Sequence, residues 1–301
     1  MPDRPLSRDL FGIALVAAAA AAYGLNIVLA RLVYDEGANP GTFLALRGVG
    51  FSAALLAFLL ATGRPRALRP RDRYISLGLG ALIAGQTYAF YSAVQFIPVS
   101  LAVLILSLYP LLVALGMRLF EREPLGPVKL AALVGAFAGL ALVLRVAPVG
   151  FDLLGVGLAF GATLVHASVI LAGNRILARA DSMRLALHMI GTATVLYAAA
   201  LATADEIALP ATAEGWALLA LAPVAYLFAV VGFYASLPLI GPTKASMVGN
   251  TEPVFTVALA ALLLAERLAP LQLLGAAVVI GSVFVLHASG GRRPVLGRAP
   301  E

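Results

Sequence analysis

The chain has 301 residues, 61% of them hydrophobic and 12% charged, with a net charge of +6, three histidines and no cysteine. This is the composition of a membrane protein, with little chain left over for a soluble domain. It excludes a disulfide framework and a thiolate metal site, and in a membrane protein the basic excess speaks of topology rather than of nucleic acid.

A helical span needs about 20 apolar residues. Runs of that kind predict ten helices, at 10–33, 41–62, 74–96, 99–120, 126–144, 153–177, 183–204, 215–240, 243–264 and 271–288. The first imitates a signal peptide, since Arg4 and Arg8 precede the alanines from Ala17 to Ala22. Its apolar run continues to Val33, too long for an h-region of about 7 to 15 residues, so an uncleaved helix is expected.

Arg64, Arg66, Arg69, Arg71 and Arg73 crowd the loop after the second span, and Arg175, Arg179 and Arg184 lie an even number of spans later. With a cytoplasmic N-terminus, the predicted cytoplasmic segments and adjoining helix ends carry 17 of the 21 Lys and Arg residues. Arg31, Arg47, Arg145 and Arg267 fall to the other side. Both termini are therefore expected in the cytoplasm. The arginine-rich loop has the look of an anionic-lipid contact, although orientation alone accounts for it. The acidic pairs Asp35/Glu36 and Asp205/Glu206 fall outside, and Lys244 reads as a snorkelling residue at a helix start.

The later spans repeat the earlier ones. Aligning 90–130 on 233–273 at an offset of 143 pairs ten identical residues, Phe90, Tyr91, Ile97, Ala102, Pro110, Leu119, Glu123, Leu125, Pro127 and Leu130 with their counterparts. Composition alone would give roughly four. The same offset pairs Gly12 with Gly155 and Tyr23 with His166. Two units of five spans follow, 1–147 and 148–301 with its tail, joined by a short linker. Five is odd, so the second unit enters the membrane from the opposite face. The expected fold is an all-α membrane protein of ten transmembrane helices in two inverted five-helix repeats, the arrangement that serves alternating access. Gly135/Gly139 and Gly157/Gly161 are spaced for close helix contacts.

Glu252 is the one acidic residue near mid-span, where a charge costs on the order of 2.5 to 3.5 kcal/mol. It precedes Pro253, which removes a helical hydrogen bond and opens the helix. The matching pair in the first repeat is Tyr109-Pro110. A protonatable group beside a helix break is a candidate coupling site, with a protonated, hydrogen-bonded structural carboxyl as the alternative. Tyr88, Tyr91 and Gln95 share one face of the third span, and Tyr226 and Tyr234 share one face of the eighth. Tyr23 and Asn26 lie a turn apart, His166 matches Tyr23, and Ser246 and Asn250 stack one turn apart beside Glu252. Together these residues outline an aromatic, weakly polar central cavity as the candidate substrate site. No fixed cation is expected at mid-depth. Glu123 and Glu266, each followed by the proline that opens the next span, read as turn chemistry.

Glu252-Pro253, Leu264-Ala265-Glu266-Arg267-Leu268 and Gln272-Leu273-Leu274-Gly275, with Tyr109-Pro110 and 120–125 as their counterparts, resemble the EamA-type carriers of the drug/metabolite transporter superfamily. Tyr23 stands where such carriers often have a tryptophan. The resemblance implies an inner-membrane carrier of small metabolites, commonly an exporter, and the chain looks most similar to the amino acid exporters, including the aromatic branch. No cofactor or metal is expected, the partners are a small-molecule substrate and the bilayer, and a monomer suffices. Exporters of other solutes or cationic drugs are the alternative, followed by a non-transporting scaffold. An enzyme would lack its parts, since there is no H-E-x-x-H pair and no nucleophile near a histidine and an acid.

Overall fold

In the computed structural model, the structure describes residues 4–61, 63, 68–121, 126–145, 152–176, 182–204 and 207–290. Arg64, Arg66, Glu123, Arg179, Asp205, Glu206 and the linker residues 146–151 lie outside the described residues.

Eleven helices account for almost all of what is described: α1 (Arg4–Asp35), α2 (Pro40–Ala61), α3 (Pro70–Phe96), α4 (Val99–Leu106), α5 (Tyr109–Glu121), α6 (Pro127–Arg145), α7 (Leu153–Ile176), α8 (Ser182–Ala202), α9 (Ala213–Gly249), α10 (Glu252–Leu263) and α11 (Pro270–Gly290). Prolines open α2, α3, α6 and α11, where the missing N–H would be unsatisfied anyway. The helices make ten spans. α4 and α5 are two parts of the fourth, and the end of α9 joins α10 to form the ninth. Within α9 the eighth and ninth spans are separated at Gly241, whose non-helical backbone has a φ of 78° that only glycine adopts freely.

The two halves are related by an approximate two-fold axis, legible residue by residue. α1 runs antiparallel to α9, with Gly12 against Ile240 and Gly215 against Glu36. A Cβ on Gly12 would lie 2.5 Å from the Ile240 side chain, and one on Gly155 would lie 2.8 Å from Ile97. Adding 143 to one partner and subtracting it from the other turns the first pair into the second. The helix breaks repeat bond for bond. In the first half the N–H groups of Ser107, Leu108, Leu111 and Leu112 donate to the carbonyls of Val103, Ile105, Leu108 and Leu108. In the second half Asn250, Thr251, Val254 and Phe255 donate to Ser246, Val248, Thr251 and Thr251, each at the same offset. An odd number of spans per half makes the copies inverted.

Packing follows the same symmetry. α1 packs on α9 and α10, as α7 packs on α3, α4 and α5; α2 meets α8, and α6 meets α11 across the axis. The last pair touches through backbone. A Cβ on Gly139 would sit 2.7 Å from the Gly275 carbonyl oxygen, and one on Gly135 would sit 2.8 Å from Ser282 Oγ. Gly157 and Gly161, which share the spacing of Gly135 and Gly139, have nothing within 4 Å of the position a Cβ would take, so they serve no close helix contact among the described residues. The main core lies between α1–α5, α7 and α8 and reaches α6, α9, α10 and α11, with Phe43, Leu44, Leu104, Ile105 and Leu108 fully buried.

Candidate functional site

Both breaks fall near the middle of their spans. Ser107 and Leu108 separate α4 from α5, and Asn250 and Thr251 separate α9 from α10. Pro110 and Pro253 then stand second in the new helices, with no N–H to give to the carbonyls of Leu106 and Gly249. Tyr109 and Glu252 are the first residues of α5 and α10, so the two-fold sets them on equivalent sides of the axis. The Glu252 carboxylate lies within electrostatic range of the hydroxyls of Tyr23, Tyr91, Tyr109 and Tyr226. His166 packs edge-on to Tyr109 at 4.8 Å, and its Nδ1 is buried without a hydrogen-bond partner. Tyr23, Tyr109, Tyr226 and Glu252 are each half-buried.

The residue that organises this region is Arg47, on α2. The sequence places Arg47 toward the membrane face away from the N-terminus, as its position near the start of α2 bears out, but the expectation of no cation inside the bundle is corrected. Arg47 is only 5% exposed. Seven residues of helix, about 10 Å of rise, carry it inward from Pro40. Its Nη1 donates to Asn26 Oδ1 and to the Tyr91 hydroxyl, both at 2.7 Å. Tyr91 in turn donates to Asn26 Oδ1 at 2.9 Å, and Asn26 Nδ2 donates to the Ala222 carbonyl at 2.7 Å. The guanidinium carbon stands 4.6 Å from the centre of the Tyr226 ring, 4.7 Å from that of Tyr91 and 5.5 Å from that of Phe43. Four helices, α1, α2, α3 and α9, meet on this one group.

The aromatic wall continues from there. Tyr226 packs against Phe51 at 4.8 Å and edge-on to Tyr23 at 5.8 Å. Tyr234 joins the same cluster through Phe51, Leu55, Leu59 and Val230 and packs on Phe233. The structure therefore brings together Tyr23, Asn26, Tyr91, Tyr226 and Tyr234, with Glu252 within electrostatic range of Tyr23, Tyr91 and Tyr226, and His166 on the symmetry-related side. It does not bring Tyr88 and Gln95. Tyr88 is 48% exposed and Gln95 is exposed, and no hydrogen bond or ring contact of either side chain reaches the cluster. They share a helical face with Tyr91, but the bundle covers only part of that face. Ser246 is exposed, and Asn250 is half-buried at the break beside Glu252.

Glu266 does more than turn the chain. Ala265, with φ of 53°, ends α10 in the left-handed region and delivers Glu266 to the start of α4. There its carboxylate accepts from the N–H groups of Val99 (2.7 Å) and Ser100 (3.0 Å) and from the Ser100 hydroxyl (2.6 Å). The unsatisfied first donors of a helix are met by an acid from the other repeat, on the membrane face away from the N-terminus. Arg31 serves that face too, donating to the last carbonyls of α3 at Val94 and Gln95. On the N-terminal face, Lys244 is exposed and pairs with Asp9 at 2.8 Å. No cluster of three metal-ligating side chains occurs among the described residues.

Comparison with known proteins agrees with this architecture. Both halves match the EamA-like transporter family, over residues 10–145 and 153–288. No curated protein matches the chain. Among solved structures 27 chains match, and one of them, described as a crystal structure of a protein, aligns with 95% of this chain and 96% of its own at 20% identity and a TM-score of 0.61. At that identity the likeness concerns the fold.

Proposed function

The chain belongs to the EamA-like transporter family, and from that premise we propose that it exports small metabolites, amino acids above all, by alternating access through the site between its halves. It is a carrier and not an enzyme, placed in the inner membrane with both termini in the cytoplasm, and one chain suffices for transport. The moving units are the repeats 1–147 and 148–301.

The observation that carries this reading is the meeting of two duplicated helix breaks beside an aromatic, partly polar cluster. Broken helices at mid-membrane give a ligand unpaired backbone groups, and here the carbonyls before Pro110 and Pro253 are candidates. Tyr23, Tyr226 and Tyr234 offer apolar ring surface with hydroxyl ends, which suits amphipathic cargo without imposing one shape. Glu252, protonatable and beside the second break, is the proposed proton site. Inverted copies supply two conformations of nearly equal energy, since each half can take the other's role.

Other cargoes fit less well. Phosphorylated solutes would want several buried basic groups, and Arg47 is the one buried arginine or lysine among the described residues. Permanently cationic drugs suit the tyrosines and Glu252 but would share the site with a fixed positive charge. A scaffold would leave both breaks without a use.

The test is counterflow of radiolabelled neutral amino acids into liposomes holding the purified protein, with and without a pH gradient. Saturable exchange supports the reading, and no exchange across the whole panel removes it. Glu252→Gln is expected to keep exchange while losing the response to the gradient; a variant that still responds would discard Glu252 as the coupling site.

A further inference from the structure

Arg47 is an incomplete ion pair. A guanidinium cannot shed its proton in a protein and has five N–H donors. The bonds to Asn26 and Tyr91 use two of them, and the Nε–H, fully enclosed, has no acceptor among the described residues. Among the described residues no carboxylate pairs with it; the ion pairs there join Arg31 to Asp35 and Lys244 to Asp9. Aromatic rings cover its faces, and those contacts stabilise a cation without neutralising it. A charge of this kind, buried within a membrane span, is costly to keep for packing alone.

The surroundings set the ligand's chemistry. Asn26, itself fixed by Ala222, and Tyr91 lock one end of the guanidinium so that its plane is held before any ligand arrives. The Nη2 donors are unspent, and unlike the enclosed Nε they are not among the buried unpartnered atoms, so a fixed guanidinium offers them to a carboxylate oxygen. Tyr91 and Tyr226 lie within electrostatic range both of Arg47 and of Glu252, and Glu252 opens α10 at the second helix break. The two opposite charges share those tyrosines without pairing with each other. A cation and an acid that act on the same two tyrosines, with no ion pair between them among the described residues, are complementary to a molecule that carries both charges a few ångströms apart.

Building on the amino acid reading above, we propose that Arg47 is the carboxylate anchor of the transport site and that Glu252 faces the amino group of the same molecule. Tyr226 and Tyr23 then lie along the remaining side chain. Specificity comes from the two charged ends, and breadth comes from the ring-lined wall between them.

The discriminating experiment needs no variant. Counterflow of radiolabelled leucine by the wild-type protein is competed with unlabelled leucine, leucinamide, leucinol and N-acetyl-leucine. Loss of the carboxylate in leucinamide and leucinol is expected to weaken competition about 10- to 100-fold, the range for removing a hydrogen-bonded charge. N-acetyl-leucine is expected to weaken it as well. Equal competition by leucine and leucinamide would overturn the anchor. Arg47→Gln and Arg47→Lys, each checked for a monodisperse fold in detergent, add the second readout: Arg47→Gln should raise the half-saturating leucine concentration while leaving that of leucinamide unchanged, and Arg47→Lys should fall between. A change of equal size for both compounds would again overturn it. Should no amino acid exchange at all, the amino acid reading fails separately. The anchor is then judged on the same vesicles with short-chain carboxylic acids and their amides: exchange of the acids alone supports it, and transport of cargo without a carboxylate contradicts it.

Discussion

Gly139 and Gly275 allow the sharpest test of the packing, because neighbouring glycines of identical spacing serve as controls. A methyl on Gly139 would approach the Gly275 carbonyl oxygen to 2.7 Å, and one on Gly275 would approach the Gly139 oxygen to 2.6 Å. Both obstacles are backbone, so no side chain can rotate away and α6 and α11 must part by several tenths of an ångström. Overpacking of this kind costs about 1 to 3 kcal/mol, against which alanine regains about 1 kcal/mol of helix propensity. Gly157→Ala and Gly161→Ala meet no neighbour and keep the propensity gain alone. The expected gap between Gly139→Ala and Gly157→Ala is therefore about 1 to 3 kcal/mol, read as the difference in thermal unfolding in one detergent. The double variant Gly139→Ala/Gly275→Ala should lose less than the sum of its parts, since one separation of the helices relieves both clashes. Equal melting of Gly139→Ala and Gly157→Ala would refute the contact.

Glu266→Ala removes three hydrogen bonds that join the end of α10 to the start of α4, together about 2 to 4 kcal/mol for a partly exposed charged acceptor. If that face opens during transport, a single Tyr109→Cys label in this cysteine-free chain should react faster from the Glu266 side in the Glu266→Ala background; an unchanged rate would show that the contact is no latch. Asn26→Ala strips Arg47 of an acceptor and is expected to lower stability by about 3 kcal/mol and to impair exchange, with an unshifted melting temperature as the contrary result. Lys244→Gln breaks only an exposed pair with Asp9 and should change stability by less than about 1 kcal/mol. Tyr88→Ala should leave the half-saturating substrate concentration in place while Tyr226→Ala raises it; the reverse order would move the site to the exposed face of α3.

The parts of the fold that rest on local chemistry were legible in the sequence. Apolar run lengths placed the helix ends to within a few residues, the proline pairs marked both breaks, and an odd span count fixed the inversion. What escaped was what depends on helix rotation and on partners far apart in sequence. Arg47 lies only seven residues inside α2, and from there an arginine can either snorkel to the interface or turn inward. Its inward turn is decided by Asn26 and Tyr91, which lie 21 and 44 residues away in the chain. The one available signal was that a second polar residue, Asn26, needed a partner at similar depth. Spacing put Tyr88 and Gln95 on the same helical face as Tyr91, yet α3 buries a narrower sector than that face. Glu266 looked like a turn residue because its acceptors belong to the start of α4, a contact that exists only once the two repeats are packed together.

The central claim is that one site is reached in turn from the two faces of the membrane. It is tested most directly by labelling Tyr109→Cys, at the first break, with a membrane-impermeant thiol reagent applied separately to each side of oriented proteoliposomes. Reaction is expected from both sides, with saturating substrate changing the ratio of the two rates. Reaction from one side only, whatever the substrate, would contradict it.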